Sequence, residues 1–187
     1  YGNLHYLKLR FFIGNCKNFG FTDKESEDFA YFCINLNGCD MCNVIIGRKA
    51  EQEILRQRIE SKSPELIAIY GRRRIGKTYL VRQYFKDTFS FYFTGIYQGT
   101  KKEQLGEFNR QLEYYSGRKW KVAKDWFDAF AQLREYLGTI DGDNPIIVFL
   151  DELPWMDTQK SRFIKAFEFF WNSWGATNNR LKLIVCG

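Results

Sequence analysis

From Asn43 onward the chain alternates between short apolar runs and longer stretches in which apolar residues recur every three or four positions. The short runs are ELIAIY (65–70), FSFYFT (89–94), IIVFL (146–150) and LKLIVC (181–186). Runs of this length, nearly continuous and ending in glycine or acid, predict strands of a parallel sheet covered on both faces. The periodic stretches predict helices. Ile54, Leu55 and Ile59 mark one over roughly 48–61, and Leu80, Val81 and Tyr84 mark one over 77–86. Leu105, Phe108, Leu112 and Tyr115 form the stripe of a third. Asp125 as N-cap and Gly138 as stop bound a fourth. Phe163, Ile164, Phe167, Trp171 and Trp174 align along a fifth, with SKSP, DGDN and TNN as turns between elements. Strands alternating with helices of this length predict an α/β fold, a three-layer α/β/α sandwich with a mostly parallel sheet.

Residues 1–43 break this pattern. They are aromatic and cysteine-rich without a clear period. Two readings stand: a small strand-rich extension, or sequence foreign to the natural protein with Met41 as the true start. With Tyr1 at its start and Gly187 directly after an apolar run at its end, the sequence is expected to be a fragment. The expected organisation is an unassigned extension over 1–43 and an incomplete α/β core over 44–187.

Composition narrows the classes. Of 187 residues, 45% are hydrophobic and 18% aromatic, enough for a sizeable core. The net charge of +6 permits contact with nucleic acid or acidic membrane without showing it. There is no run of apolar residues long enough for a transmembrane helix, and no secretory signal. Five scattered cysteines do not form a secreted disulfide framework, so a reducing, cytoplasmic location is expected. Cys16, Cys33, Cys39 and Cys42 supply thiolates for zinc, but their spacing does not make two matched pairs. Cys186 lies in an apolar strand and reads as core. His5 is the only histidine, which argues against histidine-based catalysis.

Two polar constellations sit where strands are predicted to end, and ligands of open α/β sheets bind beyond the carboxyl ends of strands. The first is GRRRIGKT, Gly71 to Thr78. It fits Gly-x-x-x-x-Gly-Lys-Thr, with a strand before and a helix after. Glycines let backbone N–H groups approach phosphates closely. The helix that follows turns its free amides and positive dipole end to the same anion. Lys77 reaches the β- and γ-phosphates, and the Thr78 hydroxyl coordinates Mg²⁺. The nucleotide-binding stretch is therefore Gly71, Arg72, Arg73, Arg74, Ile75, Gly76, Lys77, Thr78 and Tyr79. The three arginines occupy the variable positions. They serve solubility or a neighbouring domain in one reading, phosphate or nucleic acid in the other.

The second constellation is Asp151 and Glu152, at the end of IIVFL. Hydrolysis requires Mg²⁺ held opposite the phosphate loop and a water set for in-line attack. Asp151 suits the metal shell and Glu152 the general base. P-loop kinases often lack such a neighbouring glutamate, so the pair points to the hydrolytic, catalytic-glutamate branch. In that branch one strand is inserted between the loop strand and the acidic strand. LKLIVC is the candidate insert.

Taken together, VIIGRKAEQEIL, IYGRRRIGKTYLV, FYFTG, DWFDAFAQL, IIVFLDELPWM and LKLIVCG resemble the archaeal and bacterial AAA-type P-loop ATPases related to the STAND class. The resemblance covers roughly 44–187. It implies a P-loop NTPase fold, ATP and Mg²⁺ as ligands, and a Gly-Arg pair with a following Glu near the adenine, here Gly47, Arg48 and Glu51. It also implies a sensor residue, a further strand and a lid beyond Gly187, and C-terminal domains through which DNA or protein is engaged. No arginine finger can be assigned. The expected function is ATP binding and Mg²⁺-dependent hydrolysis that switches or drives a larger protein, with no membrane role and with oligomers allowed. The alternative is a nucleotide-gated DNA- or protein-binding module with negligible hydrolysis.

Overall fold

The computed structural model describes residues 4–8, as backbone only, and 48–187. In chain order these form β1 (Leu4–Lys8), α1 (Lys49–Glu60), β2 (Glu65–Tyr70), α2 (Lys77–Phe85), β3 (Phe91–Thr94), α3 (Lys101–Ser116), α4 (Trp126–Leu137), β4 (Ile146–Asp151), a short α5 (Leu153–Met156), α6 (Phe163–Ser173), a 3₁₀ turn (Gly175–Thr177) and β5 (Leu181–Cys186). The strands make a five-stranded sheet in the order β1-β2-β5-β4-β3. All four pairings are parallel. This is the P-loop NTPase arrangement, with β5 inserted between the loop strand β2 and the acidic strand β4. β1 comes from the N-terminal segment and pairs with β2 along the sheet edge. Gly47 and the four cysteines considered for zinc lie outside the described residues.

Both faces of the sheet are covered, which is why β4 and β5 are buried at every position. On one face Ile67, Ile69, Ile147, Phe149, Ile184 and Cys186 pack against Leu55 of α1 and Leu80, Val81 and Phe85 of α2. On the other, Leu66, Phe91, Phe93, Val148, Leu150, Leu183 and Val185 pack under α3, α4 and α6. Trp126 anchors that layer. It is fully buried, with its ring edge-on to Phe163 at 4.9 Å and to Phe108 at 5.6 Å. Rings in such T-shaped pairs add to the burial they share.

The caps explain the helix limits. Thr100 and Glu103 close a capping box at the start of α3, which satisfies two otherwise unpaired amides. The Asp125 carboxylate accepts from the Asp128 amide at 3.0 Å and starts α4. The Gly138 amide ends that helix by donating to Arg134 at 3.0 Å. One expected core position is corrected. Ile164 is 40% exposed, because the buried stripe of α6 runs through Phe163, Ala166, Phe167, Phe170 and Trp171, and Ile164 falls one step off it.

Strand parity then places the chemistry. Asp151 follows Phe149 by two residues and shares its face, the one covered by α2. The first turn of α2 and the end of β4 are brought together for that reason.

Candidate active site

The loop between β2 and α2 is shaped by two residues in the left-handed region, Arg74 at φ 63° and Gly76 at φ 75°. Alternating hands of backbone turn successive amides to one side and make an anion-binding concavity. Gly76 is also the N-cap of α2, so its conformation sets where the helix dipole points. Arg74 holds the same conformation with a side chain, at a cost on the order of 1 kcal/mol.

Lys77 curls over this loop. Its ammonium donates to the carbonyls of Gly71 and Arg72, each at 3.0 Å. Arg48, at the start of α1, grips the loop from the other side. Its guanidinium donates to the Gly76 carbonyl at 3.2 Å and to the Ile75 carbonyl. Arg48, which the family resemblance sets near the adenine, braces the loop backbone.

Asp151 is 3% exposed. One carboxylate oxygen, Oδ1, accepts from the Thr78 hydroxyl at 3.1 Å and from the Glu152 amide at 3.0 Å. The two motifs are therefore in direct contact. Glu152 itself is left-handed, at φ 51°, and caps α5. Its carbonyl is held by the Trp155 amide at 2.9 Å. Beneath it runs the turn after β3, where the Gly95 amide donates to the Asp151 carbonyl at 2.9 Å. A Cβ on Gly95 would lie 2.7 Å from the Glu152 carbonyl oxygen, so only glycine fits there. Cys186 lies beside Asp151 in the sheet. Burial, and then the neighbouring carboxylate, push its thiol up to about 12, which keeps it neutral and unreactive.

The loop, the first turn of α2 and Glu152 border one cleft of about 620 Å³, lined by Gly71, Arg73, Arg74, Gly76, Lys77, Thr78, Tyr79, Glu152, Pro154, Trp155 and Gly187. Of the loop arginines, Arg73 and Arg74 face it and Arg72 does not line it. A second groove of about 560 Å³ lies between α4 and α6, walled by Phe127, Phe130, Phe169, Phe170 and Trp174. It has neither loop amides nor paired acids.

Comparison with known proteins agrees with the fold. No family model matches the chain. An uncharacterized protein of Methanocaldococcus jannaschii is 24% identical over 144 residues, 77% of this chain and 29% of that protein. An uncharacterized ATP-binding protein of the same organism is 36% identical over 44 residues, 24% of this chain and 75% of that protein. Among solved structures, a Walker-type ATPase of Pyrococcus abyssi superposes with a TM-score of 0.52 at 17% identity, over 76% of this chain and 45% of that one. The chain thus spans less than half of that structure, and less than a third of the longer relative. Among the described residues, no helix is long and apolar enough to cross a membrane. Phosphate loop, inserted strand, acidic strand end and relatives converge, and the chain belongs to the P-loop NTPase family.

Proposed function

We propose that this chain is a Mg²⁺-dependent ATPase domain of the AAA/STAND-like type that switches or drives a larger protein. The observation that carries the reading is the hydrogen bond from Thr78 to Asp151, 3.1 Å, which joins the end of the phosphate loop to the acidic strand end. A hydroxyl and a carboxylate converging in this way are the hard oxygen donors that Mg²⁺ favours. Thr78 and Asp151 would hold the metal, and bound Mg²⁺ would neutralise charge on the β- and γ-phosphate oxygens.

The remaining roles belong to the chain. The amides of the loop and of the first turn of α2 bind the phosphates. Lys77, already stationed over the loop, offers its ammonium to the charge that develops on the transferring phosphoryl group. Arg48 keeps the Ile75 and Gly76 carbonyls turned away from the anion. Glu152 accepts the proton of the attacking water. Tyr79 and Trp155 form part of the wall that confines the nucleotide. The test is Glu152→Gln. ATP affinity should persist while turnover falls roughly 10²–10⁴-fold. Unchanged turnover would remove Glu152 from the mechanism.

A second reading has one observation in its favour. Arg72, Arg73 and Arg74 are all exposed, two of them at the cleft, a basic cluster suited to a polyanion. On that reading ATP gates the binding of DNA, and hydrolysis is negligible. Steeply salt-dependent DNA binding would support it; no binding at low salt would exclude it.

A further inference from the structure

Gln104 belongs to neither motif, yet it is fully buried. It lies in the first turn of α3, just after the capping box of Thr100 and Glu103. Its side-chain nitrogen donates to the Ile96 carbonyl at 2.8 Å and to the Trp155 carbonyl at 2.9 Å. Its oxygen accepts from the Ile96 amide at 3.0 Å. Both donor hydrogens and the acceptor are thus engaged, and only a primary amide offers that set at this reach. The Trp155 carbonyl ends a short path. Trp155 donates its own amide to Glu152, whose amide in turn donates to Asp151. Ile96 belongs to the turn whose Gly95 amide holds the Asp151 carbonyl. One side chain therefore ties together the two backbone segments that flank the acidic pair.

We propose that Gln104 is a positioning residue for Glu152, fixing the left-handed backbone of the catalytic glutamate by clamping α5 to the turn after β3. This rests on the hydrolytic reading of Glu152. Gln104 does not line the nucleotide cleft and holds Trp155 only by its backbone carbonyl, so its removal should cost turnover far more than binding. A glutamate displaced by a fraction of an ångström no longer aims at the water, and misplacements of about 1 Å cost on the order of a hundredfold.

The experiment uses the full-length protein with Gln104→Leu and Gln104→Glu. It measures kcat and KM for Mg-ATP, nucleotide affinity by calorimetry, and amide exchange across 152–156. In Gln104→Leu, kcat should fall roughly ten- to a hundredfold, with KM and affinity within about threefold of wild type. Exchange in 152–156 should accelerate about tenfold, the mark of looser local structure. Gln104→Glu should show a similar loss at neutral pH and recover in part toward pH 5, because a neutral carboxyl again carries a donor and an acceptor. A residue that merely fills space would give no such recovery. If Gln104→Leu does not fold, the pH pair on Gln104→Glu decides. Unchanged kcat and exchange in a protein that loses turnover with Glu152→Gln would overturn the positioning role alone. Absence of turnover in wild type would instead defeat the ATPase reading, and this inference with it.

Discussion

The two ends of the sheet carry similar chemistry and use it differently. At the amino ends of β2 and β5, Glu65 and Lys182 face each other across the pairing, 3% and 1% exposed. The Lys182 ammonium donates to the Ser61 carbonyl at 2.8 Å, to the Ser61 hydroxyl at 3.1 Å and to the Ser63 carbonyl. Glu65 accepts from the Ser61 hydroxyl at 2.7 Å. Burial pulls the Lys182 ammonium below the usual lysine range, and the Glu65 charge opposes that pull. This pair is spent on the turn after α1. At the carboxyl ends, Thr78 donates to the buried Asp151 and Lys77 donates to the loop carbonyls, but Lys77, Thr78 and Glu152 border an open cleft. The same side-chain types make a lock where the donors are enclosed and a site where they remain within reach of solvent.

The largest expected effect tests the lock. Lys182→Met leaves the Ser61 and Ser63 carbonyls without their donor and removes the positive charge nearest the buried Glu65, and should cost about 3 kcal/mol in denaturant unfolding, while folded protein still binds ATP. Adding Glu65→Leu should restore most of the loss; no restoration would show that the pair is not a unit. At the other end the pattern should invert. Asp151→Asn should keep the fold and lower turnover about a hundredfold, equivalent to about 2.7 kcal/mol in the barrier. Gly95→Ala drives a methyl into the Glu152 carbonyl and should destabilise by about 1–3 kcal/mol, with a drop in kcat beyond that in stability. Arg48→Lys cannot span both loop carbonyls and should weaken ATP binding by about 1 kcal/mol, read by calorimetry.

The smallest effect is one of pH. The Cys186 thiol is raised in the folded state, so its contribution is intact below the ordinary thiol range and is lost as pH climbs toward the folded value. Relative to Cys186→Ala, wild type should lose about 1 kcal/mol by pH 10. A constant difference between the two would mean that the thiol ionises as freely in the fold as out of it.

Much of this was legible in the chain. The alternation of runs and stripes led to the parallel sandwich, and LKLIVC lies between the loop strand and the acidic strand, where an inserted strand is expected. Most of Gly71 to Thr78, together with Glu152, lines one cleft, with Asp151 bonded to Thr78 behind it. Other features had no local signal. Gln104 follows two lysines at a helix start and reads as solvent-facing; its burial depends on the Trp155 and Ile96 backbone, both distant from a helical pattern. Lys182 interrupts an apolar strand, and only the Ser61 and Ser63 carbonyls make it tolerable inside. Ile164 is as apolar as its neighbours, and only the phase of α6 against α4 decides that it stays outside. The left-handed turn at Glu152 packs closely on Gly95, a contact with no local sequence signal, although Pro154 does mark the first turn of the short α5.

The strand order has a further consequence for how the molecule comes into being. β5 lies between β2 and β4, yet it follows both in the chain. Until Leu181–Cys186 have been synthesised, β2 and β4 have no common neighbour in the sheet. Contacts so distant along the chain close slowly. The phosphate loop and the acidic strand can therefore be joined through the sheet only after that last hexapeptide has been made.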